Sequence, residues 1–564
     1  MARSSESDGS GFSETPTIEE YLARKDPYRA VAHGTPIPHP FNKRRSPDIL
    51  ADLADRLESE VIRIVSSSQI TVEDVSLYLC RPRHPGGNNI SQNILFITTR
   101  DEKPLDNDWR AASRAVHSLF TRNGLATLHL DSALQVEIRN PSLYYHDISR
   151  CLPNDPALLN LLEEKKDAIS DIVVTELRDV LTAVCFHGRL PFSMRFAEYE
   201  GKTCEPKATV VIYCRSGLAS ANFGSAEDRI TQLFEGADSE VHVELLPGDL
   251  TAASTPAGNV DMGVGRYYSA IPKDLVNGSS ISVKGRKESG SLGGWCLLNI
   301  PNRQPIKCMI TCYHVVRALD ENTTRQTDSN GITIDGGPGH VDIVYPAELD
   351  RSTTVDYIKN LREDGRLEDA DTAETALAAV LQRGPIGRVL CGSGRRLQDS
   401  TSGPHFRLDW ALVESPETFA PNKPPTTDDM SSPHKQLARP DKKVYWKPNA
   451  DFRAREIGSI RKDDWVGFRG RSTPIGSGEA NKIKPRVFWP EANKFSDEWE
   501  IFPVGVGSSE FNSPGDSGAM VFNSEGQIVG LNMMKVDEAG YVTTIDTIQK
   551  DVRKLTGGFL SFDY

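Results

Sequence analysis

The sequence predicts a multidomain chain. An N-terminal α/β (α+β) domain over 46–250 is followed by an all-β double barrel over 270–564, with a helical insertion and a C-terminal helix. Three observations predict it. The 564 residues are enough for several domains, each burying its own core. Strand and helix patterns alternate through the first half, as α/β architecture requires. After the small, polar stretch PGDLTAASTPAGNVDMGV at 247–264, short apolar runs bounded by turn signals take over.

Taken in order, residues 1–45 are rich in Ser, Glu, Pro and Gly and read as a disordered tail. Asn93-Ile94-Leu95-Phe96-Ile97 reads as a buried strand. Trp109, Ala112, Val116, Leu119 and Phe120 recur at helical spacing, and a strand over 126–130 follows. A long amphipathic stretch from Ala157 to about Val184 precedes a second round: strand 209–213, helix 226–235, strand 241–245. Ser225 and Asp228 read as a capping box for that helix and Gly236 as its stop. The repeated order has the form of a decayed duplication.

Residues 251–269 read as a linker between the domains. Within 270–564, a helical insertion is expected over 352–383 from Val355, Ile358 and Leu361, then Ala373 to Leu381. Asp546, Ile548, Val552, Leu555 and Gly557 predict a capped helix with one apolar stripe near the end.

Composition narrows the function. The net charge of −13 argues against nucleic acid as a partner, since phosphate-backbone binding needs a basic surface. The start MARSSESDGSGFSETPTIEEY lacks the apolar centre of a signal peptide, and no apolar run approaches membrane-spanning length. The nine cysteines (80, 151, 185, 204, 214, 296, 308, 312, 391) are scattered, unlike a secreted disulfide framework. An intracellular, cytoplasmic protein with reduced thiols is expected. The sequons at Asn89, Asn277 and Asn322 then carry no glycan.

The stretch FNSPGDSGAMVF at 511–522 places Ser517 between Asp516 and Gly518, directly before an apolar run. Turn chemistry alone accounts for Gly515-Asp516-Ser517-Gly518. A nucleophilic serine demands more: a base, a carboxylate that orients it and two backbone N–H donors. Upstream, His314 ends the apolar run Cys308-Met309-Ile310-Thr311-Cys312-Tyr313. A near-neutral imidazole at a strand end suits a general base. Asp409 leads straight into Trp410-Ala411-Leu412-Val413, and burial there is costly unless a donor such as a histidine Nδ1–H meets the carboxylate. A structural histidine and a strand-capping aspartate are the plain alternatives. The three residues lie far apart in sequence and can meet only through tertiary structure.

A metal site at Cys308, Cys312 and His314 is a weaker alternative, because the Cys-x3-Cys-x-His spacing is unusual for zinc and no second cluster completes it. No cofactor is expected. Gly-rich pieces such as Gly505-Val506-Gly507 lack the strand–helix context of a nucleotide loop.

Gly-Asp-Ser-Gly, a strand ending in His and Asp-x-Ala-Leu, in the order His314, Asp409, Ser517, resemble the chymotrypsin/trypsin-like serine peptidases over roughly residues 270–560. Gly293-Gly294-Trp295-Cys296-Leu297-Leu298 resembles the strand before the histidine strand. Trp465-Val466-Gly467-Phe468-Arg469-Gly470-Arg471-Ser472 resembles the opening of the second barrel. Gly526-Gln527-Ile528-Val529-Gly530-Leu531 resembles the hairpin after the nucleophile, and the helix after Gly540-Tyr541-Val542 also fits. The lack of paired cysteines, with Val315 after the histidine, is similar to intracellular members, HtrA-like and fungal, here without a PDZ domain.

The resemblance implies a serine endopeptidase acting through an acyl-enzyme on a protein or peptide. Ser517 would be the nucleophile, His314 the base and Asp409 the orienting acid. The N–H groups of Gly515 and Ser517 would form the oxyanion hole, each donor worth roughly 3–4 kcal/mol. It places Phe511 at the base of the S1 pocket and Met533, Met534 and Lys535 on its wall. Tryptic specificity is then not expected. A small or medium apolar P1 residue fits the methionines, and an acidic one would fit Lys535. No Ile-Val-Gly-Gly start precedes the domain to supply an ammonium for Asp516. Either another partner neutralises Asp516 or the full chain is latent, with the N-terminal domain as regulator. The rival expectation is a pseudoprotease used as an interaction scaffold.

Overall fold

The computed structural model describes residues 15–37, 41–82, 91–102, 106–125, 134–142, 149–189, 206–252, 274–398, 405–417, 420–425, 454–503 and 510–563. The strand expected at 126–130, Cys204, Asn89, Gly505-Val506-Gly507 and linker residues 253–269 lie outside them. The chain divides into two compact units, Met1–Asp249 and Leu250–Tyr564.

In the first unit the expected tail is corrected. Residues 15–45 carry the helix Ile18–Lys25 and the strands Arg29–Val31 and Phe41–Arg45. The helix starts on a reciprocal cap: the Glu20 N–H donates to Thr17 Oγ1 at 3.3 Å and the Thr17 N–H donates to Glu20 Oε2 at 3.0 Å. Tyr21 and Lys25 both bond Glu227, Lys25 at 2.5 Å. Polar composition hid these few specific contacts.

The unit repeats one order twice. Helix Asp48–Ser67 leads to antiparallel strands Asp74–Pro82 and Gln92–Thr98, then helix Asp106–Phe120 and strand Leu134–Arg139, which runs parallel to Gln92–Thr98. Helix Pro156–Leu177, strands Leu181–Arg189 and Lys207–Cys214, helix Phe223–Gln232 and strand Val241–Pro247 follow with the same pairings. Gln92–Thr98 is buried on both faces. Leu95 and Ile97 join Trp109, Val116 and Phe120, whereas Ile94 and Phe96 join Phe41 and Cys80. That explains its unbroken apolar run.

Two boundaries differ from expectation. The stretch from Ala157 is helical only to Leu177, and a strand starts at Leu181. The later helix begins at Phe223 on Asn222, with no side-chain cap, so Ser225 and Asp228 form no capping box.

Two large antiparallel sheets form the body of the second unit. One is a closed barrel of six strands: Trp465–Phe468, Gly476–Ala480, Trp499–Pro503, Ala539–Thr544, Ile528–Val536 and Met520–Asn523, which returns to the first. Phe468, Ile501, Val521, Val529 and Val542 fill it. The other is a curled sheet of eight strands with Ser280–Val283, Gly387–Gly392, Ala411–Glu414, Ile306–Thr311 and Gly294–Asn299 among them. Gly290–Ser291 pairs with Ser280 and Ile281, and the same stretch runs on into Gly294–Asn299 beside Ile306–Thr311, so the sheet curls back on itself as the expected double barrel requires. Between its strands lie helices Glu321–Asn330, Glu348–Glu363 and Leu367–Leu381. The first of these, ENTTRQTDSN, was missed because it has no apolar stripe; Asp320 caps it. Helix Ile545–Thr556 starts on Thr544 and ends at Gly557, whose φ of 70° is the left-handed stop. The expected linker begins as a strand instead: Thr251 and Ala252 pair with Lys535 and Met534.

Glu498 is 2% exposed and its Oε1 accepts the Arg407 N–H at 2.8 Å. Burial pushes its carboxyl up to about 7. The folded state keeps this proton where the unfolded state has released it, so stability falls as pH rises from about 4.5 to about 7. That amounts to about 3 kcal/mol in all. Glu498→Gln, which keeps the acceptor, is expected to raise the urea midpoint of this unit at pH 8. The gain should shrink toward pH 5; a gain that is the same at both values counts against the buried proton.

Candidate active site

The turn Tyr313–Val315 follows strand Ile306–Thr311 and carries His314, only 8% exposed. Asp409 precedes strand Ala411–Glu414, which pairs with Ile306–Thr311, so neighbouring strands deliver both residues to one sheet end. The residues flanking Asp409 are both held, and on the first side the Leu408 N–H donates to the Arg396 carbonyl at 2.8 Å. The Trp410 N–H donates to Ser393 Oγ at 2.9 Å and Trp410 Nε1–H donates to Asp551 Oδ2 at 3.0 Å. The carboxylate accepts twice from one residue: His314 N–H to Oδ1 at 2.9 Å, and His314 Nδ1 to Oδ2 at 2.5 Å. Burial raises the Asp409 pKa, but the His314 charge and hydrogen bonds outweigh it, and the net direction is down. An ionised Asp409 fixes the proton on Nδ1 and leaves Nε2 as the basic atom. Nε2 is buried and has no hydrogen-bond partner among the described residues.

Ser517 is fully buried at the barrel end. Its Oγ donates to the Met533 carbonyl at 3.0 Å rather than to His314. Its loop nonetheless lies against the histidine strand. The Ser291 N–H donates to Ser517 O at 2.8 Å and Thr311 Oγ1 donates to Ser291 O at 2.8 Å. A Cβ on Gly518, whose φ is 90°, would stand 3.0 Å from Cys312 N and collide with Thr311 Oγ1. Only glycine permits that approach.

Among the described residues, neither Gly515 N–H nor Ser517 N–H donates to a protein acceptor. Gly515 has φ 105°. Ser472 Oγ donates to the Pro514 carbonyl at 2.5 Å. In a trans peptide the N–H points opposite to that carbonyl, so this bond aims the Gly515 N–H away from Ser472. Asp516 accepts three backbone donors, Ser472 and Thr473 N–H on Oδ1 at 2.8 and 2.9 Å and Ser513 N–H on Oδ2 at 2.8 Å. These are its partners in place of a chain-terminal ammonium. Burial raises its pKa and the amides work against that.

Phe511 is fully buried in the barrel core, edge-on to Phe468 at 5.0 Å between centroids. Met533 and Met534 are buried on strand Ile528–Val536. Lys535, the sequence candidate for an acidic P1, is ion-paired with Glu510 at 2.7 Å. Of Cys308, Cys312 and His314, the last two come together, with Asp409 in place of Cys308, and their donor atoms lie within 4.8 Å of one another. Cys308 instead stands opposite Cys296 in the strand pair. Burial drives the Cys312 thiol well above its ordinary pKa, and its Sγ–H is directed at the Asn532 carbonyl. It is a poor thiolate ligand. All eight described cysteines are free thiols, and no described helix is long and apolar enough to cross a membrane.

Sequence reasoning missed Asp350, Ser291 and Asn532. Asp350 is 2% exposed and pairs with Arg471, whose Nε donates to Oδ2 at 3.0 Å and whose Nη2 also bonds the carboxylate. A lone aspartate inside a helical pattern carries no signal of such a partner.

No protein-family model and no curated protein matches this sequence. Solved structures do. Nocardiopsis protease is 11% identical, covers 51% of this chain and 98% of its own, and has a TM-score of 0.25. A glutamic acid-specific serine protease with a histidine triad in substrate binding gives 8%, 51%, 99% and 0.24. The chymotrypsin of Cellulomonas bogoriensis gives 11%, 51%, 98% and 0.25. These similar structures are serine proteases matched over half of the chain. At such identities and TM-scores, the roles of single residues stand on this chain's own geometry.

Proposed function

We propose that the second unit is a serine endopeptidase. Ser517 attacks the scissile carbonyl, His314 Nε2 takes the Ser517 proton and returns it to the leaving amine, and Asp409 orients the imidazole. The N–H groups of Gly515 and Ser517 receive the oxyanion. The observation that carries this reading is the double hold of Asp409 on His314, which leaves a buried Nε2 bare beside the Ser517 loop. The step requires Ser517 Oγ to leave the Met533 carbonyl, a rotation about one side-chain bond. Hydrolysis then proceeds through an acyl-Ser517 ester, with water as second nucleophile and the same His314 as base.

A fluorophosphonate probe reports nucleophilic competence without requiring a matched peptide. Labelling is expected on the full chain and is expected to vanish in Ser517→Ala and His314→Ala. A chain that takes no label in any form supports the scaffold reading instead.

A further inference from the structure

Strand Ile528–Val536 is covered along one edge by Ala539–Thr544. Its other edge is shared out in sequence. Residues Ile528 to Leu531 pair with Met520–Asn523. Asn532 bonds the nucleophile loop, accepting the Gly518 N–H at 2.8 Å and donating to Ala519 O at 2.9 Å. Met533 O accepts from Ser517 Oγ. The next two residues, Met534 and Lys535, pair antiparallel with Ala252 and Thr251.

An extended peptide whose carbonyl rests at Ser517 continues along this same edge, because a strand edge offers the backbone donors and acceptors that an extended chain needs. The edge beside the nucleophile already holds a segment of this chain. Resting on the peptidase reading, in which an extended substrate lies along Met534–Lys535, we propose that Thr251–Ala252 occupies this edge as an intramolecular competitor. The chain then blocks peptide binding along the edge while Ser517 stays open to a small probe.

The occupant has the properties of a displaceable competitor. Among the described residues its pairing comprises Thr251 and Ala252, both half-buried, and neither carries a large apolar anchor. Such a short ladder is weak by itself and relies on the high effective concentration that attachment to the same chain provides. A substrate in extended form competes for the same backbone groups, and release of the segment raises its apparent affinity by the reciprocal of the fraction that stood unblocked before release.

The test reads binding, not turnover. A fluorescein-labelled peptide spanning residues 247–256 is titrated by anisotropy into the full-length Ser517→Ala chain. The same titration uses that chain carrying Ala252→Pro, or Thr251→Gly with Ala252→Gly. Proline removes the N–H at 252, and paired glycines raise the entropic cost of the strand. Both released chains are expected to bind the peptide at least about tenfold more tightly. Equal affinity in blocked and released chains, or no binding to the released ones, overturns the proposal. Failure of the fluorophosphonate labelling counts against the peptidase chemistry alone.

Discussion

Asp409→Asn is expected to lower turnover of a peptide ester about ten-thousand-fold while leaving the unfolding midpoint of the second unit nearly unchanged. The carboxylate accepts from both the backbone N–H and Nδ1 of His314. A carboxamide of the same shape has one oxygen and one NH2. If its oxygen keeps the His314 N–H, its NH2 faces Nδ1, and Nδ1 must then accept. The ring proton moves to Nε2, the atom that the proposed mechanism needs bare to take the Ser517 proton. The flipped amide keeps the correct tautomer only by turning its NH2 against a backbone donor. Either arrangement loses a charge that stabilises the imidazolium in the transition state. Fluorophosphonate labelling is expected to slow in parallel. Turnover within tenfold of the parent chain would show that Asp409 does not orient the base.

Much of the second unit was legible because its signals are local. The strand before His314, the apolar run after Asp409 and the glycines around Ser517 each announce themselves within a few residues. What joins them does not. Asp350 reaches Arg471 across 121 residues, and Asn532 reaches Gly518 through a barrel pairing that periodicity cannot reveal. Lys535 reads as a free cation because its partner Glu510 lies 25 residues upstream, a pairing that no spacing rule predicts. In the first unit, a polar N-terminal segment was read as a tail since composition carries no trace of the Thr17–Glu20 cap or of Glu227 as a docking point. The strand 92–98 was easy to find for the opposite reason: burial on both faces wrote four apolar positions in a row, Ile94 to Ile97. The pairing of Thr251–Ala252 was hidden by the small residues that make the stretch look like a linker.

Asp350→Ala is expected to cost the second unit about 3–5 kcal/mol of stability and to cut turnover by roughly a further hundredfold or more through kcat. Asp350 stands on helix Glu348–Glu363 and meets Arg471 through Nε and Nη2, with both side chains almost wholly buried. Ser280 Oγ also donates to this carboxylate. Removing Asp350 therefore strands a guanidinium in the interior, which is where the stability loss arises. The effect on turnover follows a different chain of contacts. Arg471 Nη1 donates to Ser472 Oγ at 3.0 Å, and the Arg471 N–H donates to Ser291 Oγ at 2.8 Å. Ser472 in turn holds the Pro514 carbonyl and so aims the Gly515 N–H. Under the proposed mechanism Asp350 is therefore a positioning residue for one oxyanion donor, without touching substrate. The two effects separate in the double variant Asp350→Ala with Arg471→Leu, because replacing a buried ion pair by apolar groups removes the stranded charge. The double variant is expected to recover most of the urea midpoint, yet its kcat stays low, since Ser472 has still lost the donor that fixes it. A double variant that regains stability and turnover together would mean that the ion pair only supports the fold.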